Sequence, residues 1–226
     1  MIIGKGLIAN GFRSFEASKK VLIFASGVSN SNEESVSAFH REEVLLHDAL
    51  KKYCNYIFVY FSSCDVQNID KRKYFGHKLN MEALVKKEAK QFYIIRLPQV
   101  VGQTSNSNTL INYLFNKIKS NGEFSVWKDA TRNFIDIDDV AIIVKHIINQ
   151  DGYLNQVVNV ASTVHYYILD IINIIEGVLN KKAIYTVESG GFNLPIDIEP
   201  ISPVLSQLGL EFKEEYLRKM MRKYYT

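Results

Sequence analysis

Met1-Ile2-Ile3-Gly4-Lys5-Gly6-Leu7-Ile8-Ala9-Asn10 reads as a short apolar strand that runs into G-x-G-x-x-A and then into a helix-like stretch. Each small residue in that pattern has a physical task. The first glycine permits a tight turn, and the second lets backbone approach a pyrophosphate. A small third residue, here Ala9, lets helix and strand pack closely, while a helix amino terminus favours the anion. A lone G-x-G-x-x-A is a weak signal; its weight comes from following a strand directly.

Outward from that turn, apolar runs alternate with helical periodicity, the pattern of strand-helix-strand units and a parallel sheet. Strands are expected over residues 21–25, 56–61 and 92–97, each followed by a turn signal: Ser26-Gly27, then Ser62-Ser63-Cys64-Asp65, then Pro98. Helices are expected over residues 7–17, 37–53 and 74–89, the second with Val44, Leu45 and Ala49 among its inward positions. Ligands of such sheets bind at the carboxyl ends of the strands, so Gly4, Ser26, Cys64 and Pro98 should gather at one edge. Beyond Gly102 the pattern is less regular. Helices are expected over 109–119, 137–149, 168–179 and 211–225, with Asp136 capping the second of these. Short strands are expected over 124–127 and 157–160, a segment over 183–187, and a loop around Pro195, Pro200 and Pro203. The expected fold class is α/β: a Rossmann-like parallel sheet with helices on both faces, truncated at one edge. Residues 1–105 form the dinucleotide-binding core, and 106–226 supply a small substrate lobe and the last core elements.

Within that frame, Tyr74-Phe75-Gly76-His77-Lys78 sets a phenol and an ammonium one helical turn apart, on one face. A free tyrosine keeps its proton to about pH 10, and each pKa unit removed represents about 1.4 kcal/mol of preferential phenolate stabilisation. A fixed lysine charge beside it is expected to supply roughly two or three such units. Y-x-x-x-K is also common on solvated helix faces, so the pair gains meaning only from its surroundings. His77 should point away from both residues, to solvent or to a helix contact. His40, Glu43 and His47 share a helix face but read as exposed polar residues, and no metal site is expected.

Composition narrows the classes. The chain has 226 residues, 47% hydrophobic and 23% charged, enough for one sizeable core and a small second lobe. A net charge of +3, with no basic block interleaved with aromatics, argues against nucleic acid. Cys54 and Cys64 are too few for a disulfide framework, and Cys54 reads as buried packing. With no signal peptide or long apolar span visible, the expected compartment is the cytoplasm and no membrane partner is expected.

Taken in order, several segments carry a resemblance: Gly4-Lys5-Gly6, Phe61-Ser62-Ser63-Cys64-Asp65-Val66, the Tyr74/Lys78 pair with Lys78-Leu79-x-x-Glu82, Arg96-Leu97-Pro98-x-Val100-x-Gly102, Arg132-Asn133-Phe134-Ile135-x-Ile137-Asp138-Asp139-Val140-Ala141, and Asn159-Val160-Ala161-Ser162. Over nearly its whole length the chain resembles the extended short-chain dehydrogenase/reductase family of nucleotide-sugar epimerases, dehydratases and 4-ketoreductases. The resemblance implies NAD or NADP as cofactor and a nucleotide sugar as substrate. Tyr74 would be proton donor or acceptor at the sugar oxygen while hydride moves between C4 and the nicotinamide. Lys78 would bind the nicotinamide ribose and depress the phenol pKa. Gly4, Gly6, Leu7 and Ile8 would hold the pyrophosphate, and Ala25, Ser26, Gly27, Ser62 and Pro98 would line the dinucleotide groove. Arg132 matches a position that grips substrate diphosphate, with Asp65 and Val100 beside the substrate. Helices flanking Tyr74 commonly build a homodimer in similar proteins.

Three departures qualify that likeness. Cys64 stands where the family places Ser or Thr, and a thiol is the weaker donor, so Ser63 or Cys64 itself must serve. Only a short connection separates Cys64 from Tyr74. The strand ending at Ala25 resembles the family's fourth, not its second, so two strand-helix units of roughly 30 residues each are missing between Ala17 and Lys20. The acidic residue that binds the adenine ribose goes with them, and Glu16 and Glu33 are poor replacements. The first strand then becomes a sheet edge. Asp65 is followed by Val66 and not by the Asp-Glu pair of dehydratases, which disfavours dehydration. The expected function is reduction of a 4-keto sugar nucleotide by NAD(P)H in polysaccharide precursor synthesis. The alternatives are a 4-epimerase, or a non-catalytic derivative that binds a nucleotide sugar or a partner enzyme.

Overall fold

The computed structural model describes residues 1–67, 72–191, 193 and 195–226. In chain order the elements are β1 (Ile2–Ile3), α1 (Leu7–Gly11), β2 (Val21–Phe24), α2 (Val36–Lys52), β3 (Ile57–Ser63), α3 (Lys73–Glu88), β4 (Phe92–Leu97), β5 (Gln99–Val101), α4 (Leu110–Lys119), β6 (Phe124–Trp127), β7 (Thr131–Asp136), α5 (Ile137–Ile148), β8 (Gln156–Asn159), β9 (His165–Tyr167), α6 (Ile168–Leu179), β10 (Tyr185–Glu188), α7 (Ser202–Leu208) and α8 (Tyr216–Tyr225). They fall into two compact units. One comprises Met1–Leu97, Ile137–Val160 and Asp197–Gly209; the other comprises Pro98–Asp136, Ala161–Ile196 and Leu210–Thr226.

The first unit is built on a five-stranded parallel sheet in the order β1-β2-β3-β4-β8. Leu22, Phe24, Phe58, Tyr60 and Ile94 project from one face onto Leu46, Ala49 and Leu50 of α2 and Met81 and Val85 of α3. Alternation along the strands sends Ile23, Val59, Tyr93 and Ile95 to the opposite face. There the Tyr93 hydroxyl reaches the carbonyl of Ile148 in α5, and α5 in turn packs on α1 and α7. Because the strands run parallel, Gly4, Ser26 and Cys64, three of the four residues expected together, follow the carboxyl ends of β1, β2 and β3; the fourth, Pro98, comes directly after β4 and begins the second unit. β1 is two residues long and terminal in the sheet, confirming the truncated edge; so short an edge strand offers little backbone for pairing with another chain.

The second unit holds a three-stranded sheet, β5-β7-β9, with β7 and β9 antiparallel, and a parallel pair of β10 and β6. Its core gathers Ile111, Leu114 and Ile118 of α4, Ile171, Ile172 and Ile175 of α6, and Leu217, Met220 and Met221 of α8 around Phe134.

Some local expectations change. The first helix spans only five residues before a 3-10 turn at Arg13–Phe15. Its end is set by packing: a Cβ on Gly11 would stand 2.7 Å from the Ile137 side chain. The Pro203 stretch is helical, because proline suits the first turn of α7 and Gly209 closes it in the left-handed region. Asp136 gives its carboxylate to Lys223 and Tyr224 of α8. α8 itself begins at Tyr216, later than expected. Cys54 is exposed, in the turn after α2, and not buried packing.

Gly4 sits at φ +136°, and a Cβ there would lie 2.3 Å from the Ala25 carbonyl oxygen, whereas nothing lies within 4 Å of a Cβ on Gly6. Gly4→Ala is therefore expected to lower unfolding free energy by about 2 kcal/mol or more through strain and clash, and Gly6→Ala to leave it nearly unchanged. Urea titration of the two variants checks the contrast.

Candidate active site

Helix α3 carries Tyr74, His77, Lys78, Met81, Glu82 and Val85 on its buried side. Glu82, on that face, takes a fork of two hydrogen bonds from Arg96 of β4, at 2.9 and 2.8 Å, which fixes the helix against the sheet. Tyr74 and Lys78 do share a face: the Lys78 ammonium lies 5.7 Å from the centroid of the Tyr74 ring.

The contacts of the ammonium depart from the sequence expectation. Lys78 Nζ donates to Glu42 Oε1 at 3.0 Å and to the Tyr60 hydroxyl at 3.2 Å, and it is 3% exposed. Glu42 belongs to α2 and is fully buried. Its carboxylate also accepts from the Val28 amide at 2.6 Å, the Tyr60 hydroxyl at 2.7 Å and His77 Nε2 at 3.0 Å. His77 is thus at a helix contact, its ring tilted by 30° against that of Phe39 with the centroids 4.7 Å apart. Gly27 closes over the pair: a Cβ there would lie 2.6 Å from Lys78 Nζ and 2.8 Å from Glu42 Oε1.

Four donors decide the electrostatics. Burial opposes ionisation of Glu42, but the hydrogen bond from His77, the Lys78 charge and the Val28 and Tyr60 bonds together bring its pKa down from 4.5 to about 2. Burial pulls Lys78 below its ordinary value, with Glu42 acting against it. Tyr74 moves opposite to the expected direction. Burial first, then the carboxylates of Glu42 and Asp65, push its phenol well above the ordinary tyrosine value. The lysine charge is spent on Glu42, and the Arg72 charge, which acts to sharpen the acid, is outweighed by burial and the two carboxylates.

The other sequence-predicted residues divide between the two units. Ser63 ends β3 and its hydroxyl accepts from the Asp65 amide at 3.2 Å, fixing the turn. Cys64 opens the following 3-10 turn, and burial together with Asp65 pushes its thiol up, so it stays protonated. Ser62 is buried and its hydroxyl oxygen has no hydrogen-bond partner among the described residues. Ala25, Ser26 and Gly27 form the loop after β2, partly exposed, next to the Gly4 turn; Leu7 and Ile8 begin α1. Pro98, Val100 and Arg132 belong to the second unit. Val100 pairs with Ile135 across β5 and β7, and Arg132 lies on β7, donating to the Thr131 carbonyl at 2.7 Å. His40 and Glu43 stand 3.9 Å apart on the surface, while His47 bonds Glu88 of α3 at 2.8 Å. No cluster of three or more His, Cys, Asp or Glu side chains able to hold a metal occurs among the described residues.

Removing one partner of a buried ion pair leaves the other charge uncompensated, so Glu42→Ala is expected to cost about 3–5 kcal/mol of stability in a urea titration. The sign of the pH dependence follows from the lowered pKa. Glu42 contributes stability that is fully present above about 4.5 and is lost as pH falls toward about 2. The stability of Glu42→Gln should accordingly fall less steeply than that of the wild type across that acid range.

The sequence model of the NAD dependent epimerase/dehydratase family matches residues 12–161. A search of curated protein sequences finds no match. Among solved structures, UDP-glucuronic acid 4-epimerase from Bacillus cereus, in complex with UDP-glucuronic acid and NAD, superposes with a TM-score of 0.69 at 17% identity, covering 96% of this chain and 81% of that one. RMD from Pseudomonas aeruginosa, complexed with NADPH, gives 0.70 at 16% identity, with coverages of 97% and 86%. The dTDP-glucose 4,6-dehydratase of Bacillus anthracis, in complex with NAD, gives 0.67 at 13% identity, with coverages of 98% and 79%. At these identities the likeness is one of fold. With the family sequence model spanning most of the first unit and part of the second, on a parallel sheet whose glycine turn and Tyr-Lys helix meet at one edge, the chain belongs to the NAD-dependent epimerase/dehydratase family.

Proposed function

We propose that the chain is a nucleotide-sugar oxidoreductase that reduces a 4-keto sugar nucleotide with NADH or NADPH. The family supports the substrate class and the cofactor class, and the direction is carried by the placement of Tyr74, buried on α3 with the neighbouring Lys78 ammonium turned to Glu42, which favours the protonated phenol. A protonated phenol can give its proton to an oxygen as a carbonyl becomes an alcohol. An alkoxide is more basic than even this phenolate, so the transfer runs downhill. Epimerisation and dehydration both begin by oxidising a hydroxyl, which asks Tyr74 to take a proton as phenolate. Burial and the nearby carboxylates disfavour that form.

The residues fit the cofactor unevenly. At the pyrophosphate end the Gly4 bend places open space at Gly6, where backbone approach needs it. At the nicotinamide-ribose end Lys78 fits only when it leaves Glu42. When bound, a dinucleotide brings hydride transfer to the carbonyl carbon as its chemistry. Tyr74 would supply the proton, the Cys64 thiol and Ser62 hydroxyl are available as donors at the end of β3, and Arg132 would take the substrate diphosphate.

A second reading, a sugar-nucleotide-binding or partner-binding derivative without turnover, is favoured by the Glu42–Lys78 pair and by the missing adenine-ribose side. Fluorescence titration with NADH and NADPH separates the two, alongside turnover on UDP- and dTDP-linked 4-keto sugars. The reductase reading expects saturable binding and consumption of reductant. It also expects Tyr74→Phe to keep binding while losing about 10²–10⁴-fold in kcat. Sugar-nucleotide binding with no reductant bound at millimolar concentration establishes the derivative in its place.

A further inference from the structure

Lys78 has three protons, and in the folded chain it donates to both Glu42 oxygens, at 3.0 and 3.4 Å, and to the Tyr60 hydroxyl. Gly27, a groove residue, closes over that contact, and the ammonium is 3% exposed. Glu42, by contrast, is over-provided. Were Lys78 to leave, the carboxylate would keep the Val28 amide, the Tyr60 hydroxyl and His77 Nε2. The two sides of the pair are therefore unequal: the carboxylate can release the ammonium and remain hydrogen-bonded, while the ammonium, once released, needs new acceptors. A pair of vicinal hydroxyls offers such acceptors at the right scale.

We infer that Glu42 is an internal competitor for Lys78, standing in for the ribose hydroxyls of a dinucleotide and setting how weakly the free protein binds one. This rests on the proposed use of NAD(P)H at this site and goes beyond it by naming a residue that controls affinity. The physical rule is that apparent affinity falls by the fraction of molecules in which the binding group is free. Glu42 thus acts as a positioning residue, through Lys78, and not by touching the ligand.

The test is a comparison of dissociation constants for NADPH and NADH, by fluorescence, in the wild type and in Glu42→Gln. Glu88→Gln serves as control, because it removes the same charge from the far end of α3. Glu42→Gln is expected to bind about tenfold or more tightly, and Glu88→Gln to match the wild type. Loss of packing or of positioning at Glu42 alone is expected to weaken binding, the opposite sign. Equal constants in wild type and Glu42→Gln overturn the competitor role and leave the reductase reading standing. Absence of binding in both overturns the role and the dinucleotide reading together.

Where Glu42→Gln does not fold, wild-type protein labelled uniformly with 13C and 15N, read at the glutamate side-chain carboxyls and the backbone amides, decides. The role requires the Glu42 carboxyl resonance, assigned by correlation to its own backbone, to shift as NADPH is added, since the ammonium departs. A stationary Glu42 resonance, with Gly4 and Gly6 amides shifting, overturns the role alone. No shift anywhere overturns the cofactor reading as well.

Discussion

One carboxylate organises the first unit. Glu42, at the centre of α2, receives hydrogen bonds from the loop after β2, from β3 and from two successive positions of α3. A charge this deep persists only because every direction around it carries a donor. The same arrangement fixes where α3 sits along β3, and hence where Tyr74 stands. It also sets the field at the phenol, because the negative pole of the pair and not the positive one governs Tyr74. The place of α3 and the charge state of Tyr74 thus share a single origin.

The parallel sheet was legible because its strands are continuous apolar runs closed by turn residues, as strands buried on both faces must be. α6 lies over residues 168–179 as expected, since its isoleucines recur at helical spacing. β5, β7 and β9 were harder: three to six residues each, they carry mixed polarity and gain their pairing only from distant segments. The Tyr74/Lys78 face and the edge position of β1 were readable from spacing and from the missing units. Glu42 was not, because the apolar pattern of α2 points to Val44, Leu45 and Ala49 as inward positions, of which Ala49 is buried as expected. The observed stripe is Glu42, Leu46, Ala49 and Leu50, with Val44 exposed. A stripe with a charge in it looks like a solvated face, and only the donors that surround the charge reveal otherwise. The readable clue was the i, i+4, i+7 spacing from Glu42 to Leu46 and Ala49.

The chemistry that follows is asymmetric in a way composition cannot disclose. A Tyr-Lys pair suggests an acid made stronger, yet the folded chain makes it weaker, since a neighbouring ammonium matters only to the extent that its charge is unspent. Cys64 repeats the lesson at the end of β3, where burial keeps a thiol protonated and limits it to the part of a weak donor. The glycine turn at Gly4 and Gly6 kept its geometry although α1 is brief, because the requirement there is steric and is met by the absence of a Cβ next to Ala25.

The interleaving of the two units along the chain has a practical consequence for anyone who wishes to dissect the molecule. The unit with the five-stranded sheet is assembled from three stretches and the other from three more, alternating along the polypeptide. A polypeptide cut short near residue 105 would lose β8 from the sheet, and α5 and α7 with it, exposing Tyr93 and Ile95 to water. Isolating either half therefore calls for rejoining fragments with new linkers or for permuting the chain, not for trimming it.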